Sequence, residues 1–296
     1  MFDKIISVLT AGTIAFSSSV TDANIQEYKL PSNNYVQEAI NDGESTAREI
    51  SGESTVAMAI IDTGSTKTMR TTVETAHIPQ ELGTLTRMFI MIKAVTDDPK
   101  IIDETTDNDV ISMVADYSKI STDDLWEKYG RSKLIDDLTK KYDLQETIKS
   151  DEWDKVQSTP VDIARLINRF LKDEKISNNQ KNWVLALMNS TSTKLGEEDF
   201  TFGIPQARGV TNGKGGNKNI SWMQGSPMSG DSLYKHSAAI MGDNSRYISV
   251  IMVKYPKNTP NEDANRVINE ASKVTFSEES LEKSAPEEKT ESSNSR

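Results

Sequence analysis

The order of two kinds of hydrophobic periodicity is the feature that most constrains how this chain can fold. β-type runs stand at residues 55–63 and 67–73, and again much later at 234–241 and 246–253. Between these two regions, apolar residues recur with helical spacing from about residue 85 to residue 190. This order predicts a mixed α/β (α+β) fold, in which segments from both chain ends form one antiparallel sheet and the intervening segment forms an inserted all-helical lobe.

Individual helices can be placed from the same pattern. Apolar spacing predicts helices over residues 35–50, 85–95, 110–116, 122–129, 131–142, 159–171, 179–188 and 262–274. The helix that starts near Leu85 is apolar nearly all round, which predicts a position in the middle of a domain. The helix after Thr159 has a hydroxyl cap, a proline in its first turn and an aspartate near its positive end. Residues 242–245 predict a hairpin turn between the last two strands.

The two ends of the chain differ in composition from the middle. Lys4 is followed by an apolar run at residues 5–16 and by small residues at 17–23, which is typical of a secretory signal, although an ordinary buried helix or strand is the alternative. We therefore expect a signal peptide at 1–23, export to the cell envelope and a folded domain at 24–276 with its helical lobe at about 80–200. Residues 277–296 are rich in Ser, Glu and Lys, which predicts a disordered acidic tail.

Composition excludes several classes of function. Acidic residues outnumber basic ones by 45 to 34, and the net charge of −11 opposes binding to nucleic acid or to anionic membrane surfaces. The chain has no cysteine and two histidines, and its aspartates lack the spacing of a calcium loop. We therefore predict no metal site and no cofactor. The apolar run of residues 5–16 is shorter than a membrane span, so we also expect no integral span in the mature chain.

Four local segments, taken with the element order, resemble one family. They are the strand and turn at 57–65, the segment 80–89 that leads into the central helix, Tyr129-Gly130-Arg131-Ser132, and Phe202-Gly203-Ile204-Pro205. Together they resemble the serine β-lactamases and penicillin-binding transpeptidases, and the class A β-lactamases most of all, over residues 30–275. This resemblance implies a two-lobed fold and, in active members, acylation of a serine.

The resemblance also implies where catalytic residues would stand, and each position is altered. The family's Ser-x-x-Lys corresponds to Thr84-Leu85-Thr86-Arg87, and its Ser-Asp-Asn corresponds to Ala115-Asp116-Tyr117. The Lys-Thr-Gly of the strand that lines the site corresponds to Thr211-Asn212-Gly213. The glutamate that activates water in class A enzymes has no match in its usual context, although Glu146 and Glu152 lie in the corresponding region.

Loss of four elements in a chain that keeps the scaffold predicts loss of catalysis. Arginine is the most serious change, because a guanidinium stays protonated and cannot accept the proton of a nucleophile. We expect a non-catalytic protein that binds an unknown ligand or protein of the cell envelope. The alternative is a hydrolase with altered residues that uses Thr84, or another serine, as nucleophile.

Two further side chains carry specific expectations. Trp222 is placed in a long connection after the third motif, where it could contact a ligand, although packing is the competing interpretation. Arg87 would bring a permanent charge into a partly buried cleft, which needs compensation. The family geometry implies that Arg87 pairs with Asp116, or with backbone carbonyls around Thr211, and closes the site.

Overall fold

The structure is a computed structural model that describes residues 34–63, 69–103, 109–191, 194–195, 198–210, 220–229, 231–277 and 281. The expected signal peptide, most of the expected tail and Thr211-Asn212-Gly213 lie outside these residues. Leu281, at the start of the tail region, is buried, and the Tyr247 hydroxyl donates to its carbonyl at 3.2 Å.

The described ranges contain both short and long regular elements. The helices are α1 (Asn34–Ile50), α2 (Arg87–Asp97), α3 (Asp109–Ala115), α4 (Lys119–Lys128), α5 (Ser132–Tyr142), α6 (Pro160–Lys172), α7 (Asn178–Asn189), α8 (Ile204–Ala207) and α9 (Asn261–Phe276). The strands are β1 (Thr55–Asp62), β2 (Met69–Thr71), β3 (Gln80–Glu81), β4 (Gln157–Ser158), β5 (Lys194–Leu195), β6 (Glu198–Asp199), β7 (Ile220–Gly225), β8 (Met228–Ser229), β9 (Ser232–Met241) and β10 (Tyr247–Pro256). Short 3₁₀ turns occupy Gly83–Thr86, Pro99–Asp103, Trp153–Lys155 and Asp243–Ser245.

One antiparallel sheet joins the two ends of the described chain. Its strand order is β2-β1-β10-β9-β7, with β8 also paired to β9. Thr55 pairs with Lys254 at one end of the β1–β10 ladder, and Asp62 pairs with Tyr247 at the other. Helices α2 to α7 lie between β2 and β7 in sequence. The predicted mixed fold, with an antiparallel sheet from both chain ends and a helical insertion, is confirmed.

The sheet separates two hydrophobic cores, because alternate residues of each strand face opposite sides. On one side, Ala57 and Ala59 pack in the cluster that contains Phe89 of the central helix α2. On the other side, Met58 packs in the cluster that contains Ile268 of α9. The sheet is therefore packed on both faces. Because α2 belongs to one of the two cores, its start is fixed relative to the strands.

Local helix signals agree with the structure where the sequence states them clearly. The Thr159 side chain accepts from the backbone N–H of Asp162 at 3.1 Å, and Pro160 stands in the first turn of α6. Ser177 and Gln180 form a capping box at the start of α7. The predicted turn at 242–245 joins β9 to β10.

One strand was not expected from the sequence. Residues 220–225 were assigned to a connection, but they form β7, which pairs with β9 from Ile220–Met241 to Gly225–His236. The misassignment follows from composition, because glycines and polar residues surround a strand of only six residues.

Candidate active site

The turn into the central helix is held by the neighbouring strands. The Leu82 N–H donates to the Val156 carbonyl at 2.8 Å, and Nε2 of His236 lies 2.7 Å from the Glu81 carbonyl. Gly83 has φ of +53°, and a Cβ built there would lie 2.9 Å from Cβ of Pro227. A side chain at this position would therefore be strained and crowded, so glycine lets the strand and the turn approach closely.

His236 is completely buried on β9, beneath this turn. Burial lowers the pKa of its imidazole from 6.5 to about 4, while hydrogen bonds to backbone groups at Glu81 and Lys235 act in the opposite direction. The neutral ring that results donates through Nε2 to the Glu81 carbonyl, and Nδ1 has no hydrogen-bond partner within the described ranges. Through this hydrogen bond, His236 holds the turn against β9.

Thr84 occupies the position that the resemblance assigns to the nucleophile. Its side chain is half-buried, and its hydroxyl donates to the backbone carbonyl of Gln224 on β7 at 2.9 Å. No titratable side chain in the described part of the chain hydrogen-bonds to this hydroxyl. The hydroxyl proton is therefore directed to a carbonyl, which cannot remove it.

Strand β7 lies against the same turn with little space between them. A Cβ built on Gly225 would lie 2.4 Å from the Leu82 carbonyl oxygen and 3.0 Å from Cβ of Leu85. Farther along the strand, the Thr191 hydroxyl lies 3.4 Å from the Trp222 carbonyl, but its nearer acceptor is the Met188 carbonyl at 2.8 Å. The Gln224 carbonyl, which an added strand or ligand would use, is occupied by the Thr84 hydroxyl.

Arg87 follows Thr84 by three residues and is only 2% exposed. Its guanidinium donates through Nη1 to the Met113 carbonyl at 3.1 Å and through Nη2 to the Tyr117 carbonyl at 3.0 Å. Burial lowers the pKa of Arg87 from 12.5 to about 10, and Tyr117 and Asp123 raise it electrostatically. The group therefore remains a cation at neutral pH and cannot serve as a general base.

Aromatic rings enclose this guanidinium and extend across the cleft. The guanidinium carbon of Arg87 lies 5.2 Å from the Tyr117 ring centroid. Tyr117 makes an edge contact with Phe200 at 5.0 Å, and Phe200 makes one with Phe202 at 5.2 Å. The Lys235 ammonium lies 4.5 Å from the Phe202 ring centroid. A continuous row of side chains thus runs from Arg87 to the far side of the sheet.

Trp153 covers Arg87 on the outer side. The guanidinium carbon lies 5.6 Å from the Trp153 ring centroid, and the indole N–H donates to Oδ1 of Asp123 at 2.8 Å. The segment that carries Trp153 is anchored at its start by the buried carboxylate of Asp162, which accepts from the backbone N–H groups of Gln145 and Glu146. The ring therefore occupies a fixed position over the charge.

The expected partner of Arg87 is corrected by the structure. Asp116 is exposed, whereas Arg87 is buried and donates to the carbonyls of Met113 and Tyr117. Tyr117 has φ of +54°, and its side chain is buried. The second motif thus compensates the charge through its backbone carbonyls and its aromatic ring, and the Asp116 carboxylate points to solvent. The alternative partners, carbonyls around Thr211, lie outside the described residues.

Two further expectations concern the strand that lines the site. The proposed third motif, Thr211-Asn212-Gly213, lies outside the described residues, and the strand that contacts Thr84 is β7, which carries Gln224 and Gly225. Trp222 is placed in β7 rather than in a long connection. It is 5% exposed and packs in the core that contains α9.

Sequence reasoning missed several side chains of the site. It names Tyr117 only as the last residue of the second motif, and it gives Trp153, His236 and Gln224 no place beside Arg87 or Thr84. The signal that points to Tyr117 and Trp153 is the need of a buried arginine for carbonyl and aromatic partners close to it. Glu146 lies away from the guanidinium, with Oε1 2.5 Å from Nδ1 of His77 and Oε2 accepting from the Thr159 hydroxyl at 2.8 Å.

The fold and the arrangement around the central helix together define a serine β-lactamase-like protein. The family model described as the β-lactamase enzyme family matches residues 112–278, more than half of the chain. The chain therefore belongs to this family.

Solved structures with the same fold cover nearly the whole of their own chains. A class A β-lactamase representative from Bacteroides cellulosilyticus DSM 14838 has a TM-score of 0.62 at 14% identity, covering 84% of this chain and 99% of that one. A β-lactamase from Sphaerobacter thermophilus DSM 20745 has a TM-score of 0.60 at 11% identity, with 86% and 100% covered. A PBP-A variant, solved as an acyl-enzyme complex with penicillin G, has a TM-score of 0.59 at 16% identity, with 85% and 97% covered.

These identities establish the fold and leave the activity to be argued from the site. No curated protein sequence matches the chain. No helix in the described ranges combines the length and apolar character that crossing a membrane requires.

Proposed function

We propose that this chain is a non-catalytic member of the β-lactamase family that serves as a binding or scaffold protein of the cell envelope. The observation that carries the proposal is the environment of Arg87, whose buried guanidinium is bound by two backbone carbonyls and enclosed by two aromatic rings. A guanidinium held in this way contributes to packing, and as a cation it cannot serve as the base for Thr84.

The chemistry of acylation supports this proposal. A hydroxyl becomes an effective nucleophile when an adjacent group removes its proton during attack. The Thr84 hydroxyl donates to the Gln224 carbonyl, and the side chain three residues later is a cation with a pKa of about 10. Neither of these two groups, the Gln224 carbonyl or the Arg87 guanidinium, can take the proton of the Thr84 hydroxyl.

The shape of the site supports the proposal independently. A β-lactam or a peptide needs an open cleft beside the nucleophile and a strand edge with free backbone groups. Here Gly225 lies directly against the Leu82–Leu85 turn, and the Gln224 carbonyl accepts from the Thr84 hydroxyl. Contacts of the protein with itself therefore occupy this part of the strand edge beside Thr84.

Placement in the cell envelope is part of the proposal and is supported by the sequence alone. The lysine, short apolar run and small residues at 1–23 have the pattern of a secretory signal. N-terminal sequencing of the native protein tests this: we expect a mature chain that begins near Asn24, and an intact Met1 in the cytosol would contradict export.

Covalent labelling tests the loss of catalysis. The full-length protein is incubated with a fluorescent penicillin, and the adduct is measured by gel fluorescence and by intact mass, with an active class A β-lactamase as the positive control. We expect no adduct. A penicillin adduct that disappears in Thr84→Ala would establish the alternative, a hydrolase with altered residues. An adduct retained in Thr84→Ala would identify a different nucleophile and would equally overturn the proposal.

A further inference from the structure

A polar groove lies on the opposite side of the sheet from the central helix. It has a volume of about 800 Å³ and runs between the short helix α8 and the exposed face of α9. Its walls carry the carboxamides of Gln206, Asn265 and Asn269. No aromatic ring is among its lining residues. Such a surface offers hydrogen bonds rather than stacking, which disfavours flat sugar or base rings as occupants.

The walls of the groove are fixed in position. The Asn269 side-chain oxygen accepts from the Gly203 N–H at 2.7 Å, which sets the orientation of its amide. The Ile204 N–H donates to Oγ of Ser237 at 3.2 Å, and this bond ties the start of α8 to the sheet. Gly203 has φ of +75°, and a Cβ there would lie 2.8 Å from Cβ of Ser237. The groove is therefore preorganised, which reduces the entropy lost when a ligand binds.

Several polar groups of the groove are exposed and therefore available to a ligand. Gln206 is exposed, whereas Oδ1 of Asn265 is buried without a hydrogen-bond partner within the described ranges. Glu262, Glu270 and Lys273 form no ion pair in the part of the chain that the structure describes, and Arg266 makes a 3.4 Å contact with Asp263. A carboxamide offers one acceptor and two donors, which match the C=O and N–H groups of a peptide backbone.

The charged side chains along the groove alternate in sign. Glu262, Arg266, Glu270 and Lys273 follow each other along α9 at intervals of four, four and three residues. Four helical residues rise about 6 Å and three rise about 4.5 Å, and alternate residues of an extended strand are about 6.6–6.8 Å apart, a difference that long flexible side chains can span. Side chains on one face of an extended peptide can therefore meet these four charges in turn.

From this match we infer that the groove binds an extended peptide segment whose alternate residues are basic, acidic, basic and acidic. The carboxamides of the walls pair with its backbone, and the four charges of α9 select its sequence. Exposed ion pairs contribute little individually, so selectivity depends on the complete pattern rather than on one pair. This inference rests on the proposed binding function and names the class of its partner, an extended peptide. The residues that form the groove are separate from Thr84 and Arg87, on which the proposed loss of catalysis depends.

The test uses two peptides of identical composition. Fluorescein-labelled Lys-Thr-Glu-Thr-Lys-Thr-Glu carries the alternating order, and Lys-Thr-Lys-Thr-Glu-Thr-Glu carries the same charges in blocks. Binding to the full-length protein is followed by fluorescence anisotropy at physiological salt. We expect saturable binding of the alternating peptide that is at least tenfold tighter than binding of the blocked one.

A charge exchange locates the contact. Glu270→Lys should weaken binding of the alternating peptide at least tenfold, and Lys-Thr-Glu-Thr-Glu-Thr-Glu should restore it on that variant. Glu174→Lys, an exposed glutamate away from the groove, is the matched control with the same change in net charge. Absence of saturable binding, equal binding of the two isomers, or equal weakening by Glu174→Lys would each overturn the inference. Penicillin labelling is unaffected by these outcomes, so the two proposals fail separately.

Discussion

Two polar regions on opposite sides of the sheet differ in whether their polar groups are already bound by other groups of the protein. Around Arg87, a buried charge is bound by the carbonyls of Met113 and Tyr117 and enclosed by rings. Along the groove of α9, charged side chains face solvent. The comparison shows that Arg87 is part of the buried core, whereas the charges of the groove remain exposed.

The largest expected effect is the loss of stability when the buried Arg87 side chain is removed. Arg87→Ala removes two hydrogen bonds from a charged donor, leaves two carbonyls without this partner and opens a cavity between Tyr117 and Trp153. We expect the free energy of unfolding to fall by about 3–5 kcal/mol. Arg87→Lys should lose less, because an ammonium keeps the charge but cannot span both carbonyls.

Urea unfolding followed by circular dichroism measures both variants. A site that held its arginine in an open pocket would lose almost no stability in Arg87→Ala. An unchanged unfolding midpoint would therefore contradict the closed site.

The second expected effect is a loss of stability at acid pH, caused by the buried His236 next to the Gly83–Thr86 turn. In the unfolded chain His236 takes up its proton near pH 6.5, whereas in the folded protein it does so at about pH 4. Between these values the unfolded state binds more protons, so stability falls as the pH is lowered from 6.5 towards 4. The shift corresponds to about 3 kcal/mol.

The pH dependence is isolated by comparing variants. His236→Gln should lose about 3 kcal/mol less than the wild type between pH 7 and pH 4, because the variant has no buried imidazole to protonate. Parallel curves for the wild type and His236→Gln would show that this histidine does not titrate as its burial requires.

How much the sequence could predict differs between fold and site. The order of periodicities predicted the sheet, the helical insertion and most helices, because amphipathic spacing reports which face is buried. It did not predict β7, whose six residues stand among glycines and polar residues. The family resemblance implied a pair between Arg87 and Asp116, or between Arg87 and carbonyls around Thr211, whereas the structure shows the carbonyls of Met113 and Tyr117. Local sequence does not show which carboxylate or backbone carbonyl faces a buried charge.

A smaller effect sharpens the account of how Arg87 is covered. Trp153→Phe keeps a ring over the guanidinium and removes the hydrogen bond from the indole to Asp123. We expect a loss of about 1 kcal/mol in chemical unfolding. The pKa of Asp123, which hydrogen bonds from Lys119 and then Trp153 lower, should rise in an NMR titration. An unchanged Asp123 pKa would place the indole elsewhere.

The smallest effect is expected in the groove. Glu270→Ala and Lys273→Ala remove exposed side chains that form no ion pair in the described region. Their unfolding free energies should stay within about 0.5 kcal/mol of the wild type. A loss of several kcal/mol would show that these charges stabilise the fold and would remove the contrast with Arg87.

The measurement that tests the closed site most directly restores the two missing catalytic side chains together. Thr84→Ser supplies an unhindered hydroxyl, and Arg87→Lys supplies an amine that can accept a proton. The double variant, confirmed as folded by circular dichroism, is incubated with penicillin and its intact mass is measured beside Thr84→Ser alone. Because Gly225 still packs against the Leu82–Leu85 turn and the hydroxyl at position 84 still faces the Gln224 carbonyl, we predict no acyl adduct. A stoichiometric adduct in the double variant would contradict the account, since it would show an open cleft that lacked only its nucleophile and base.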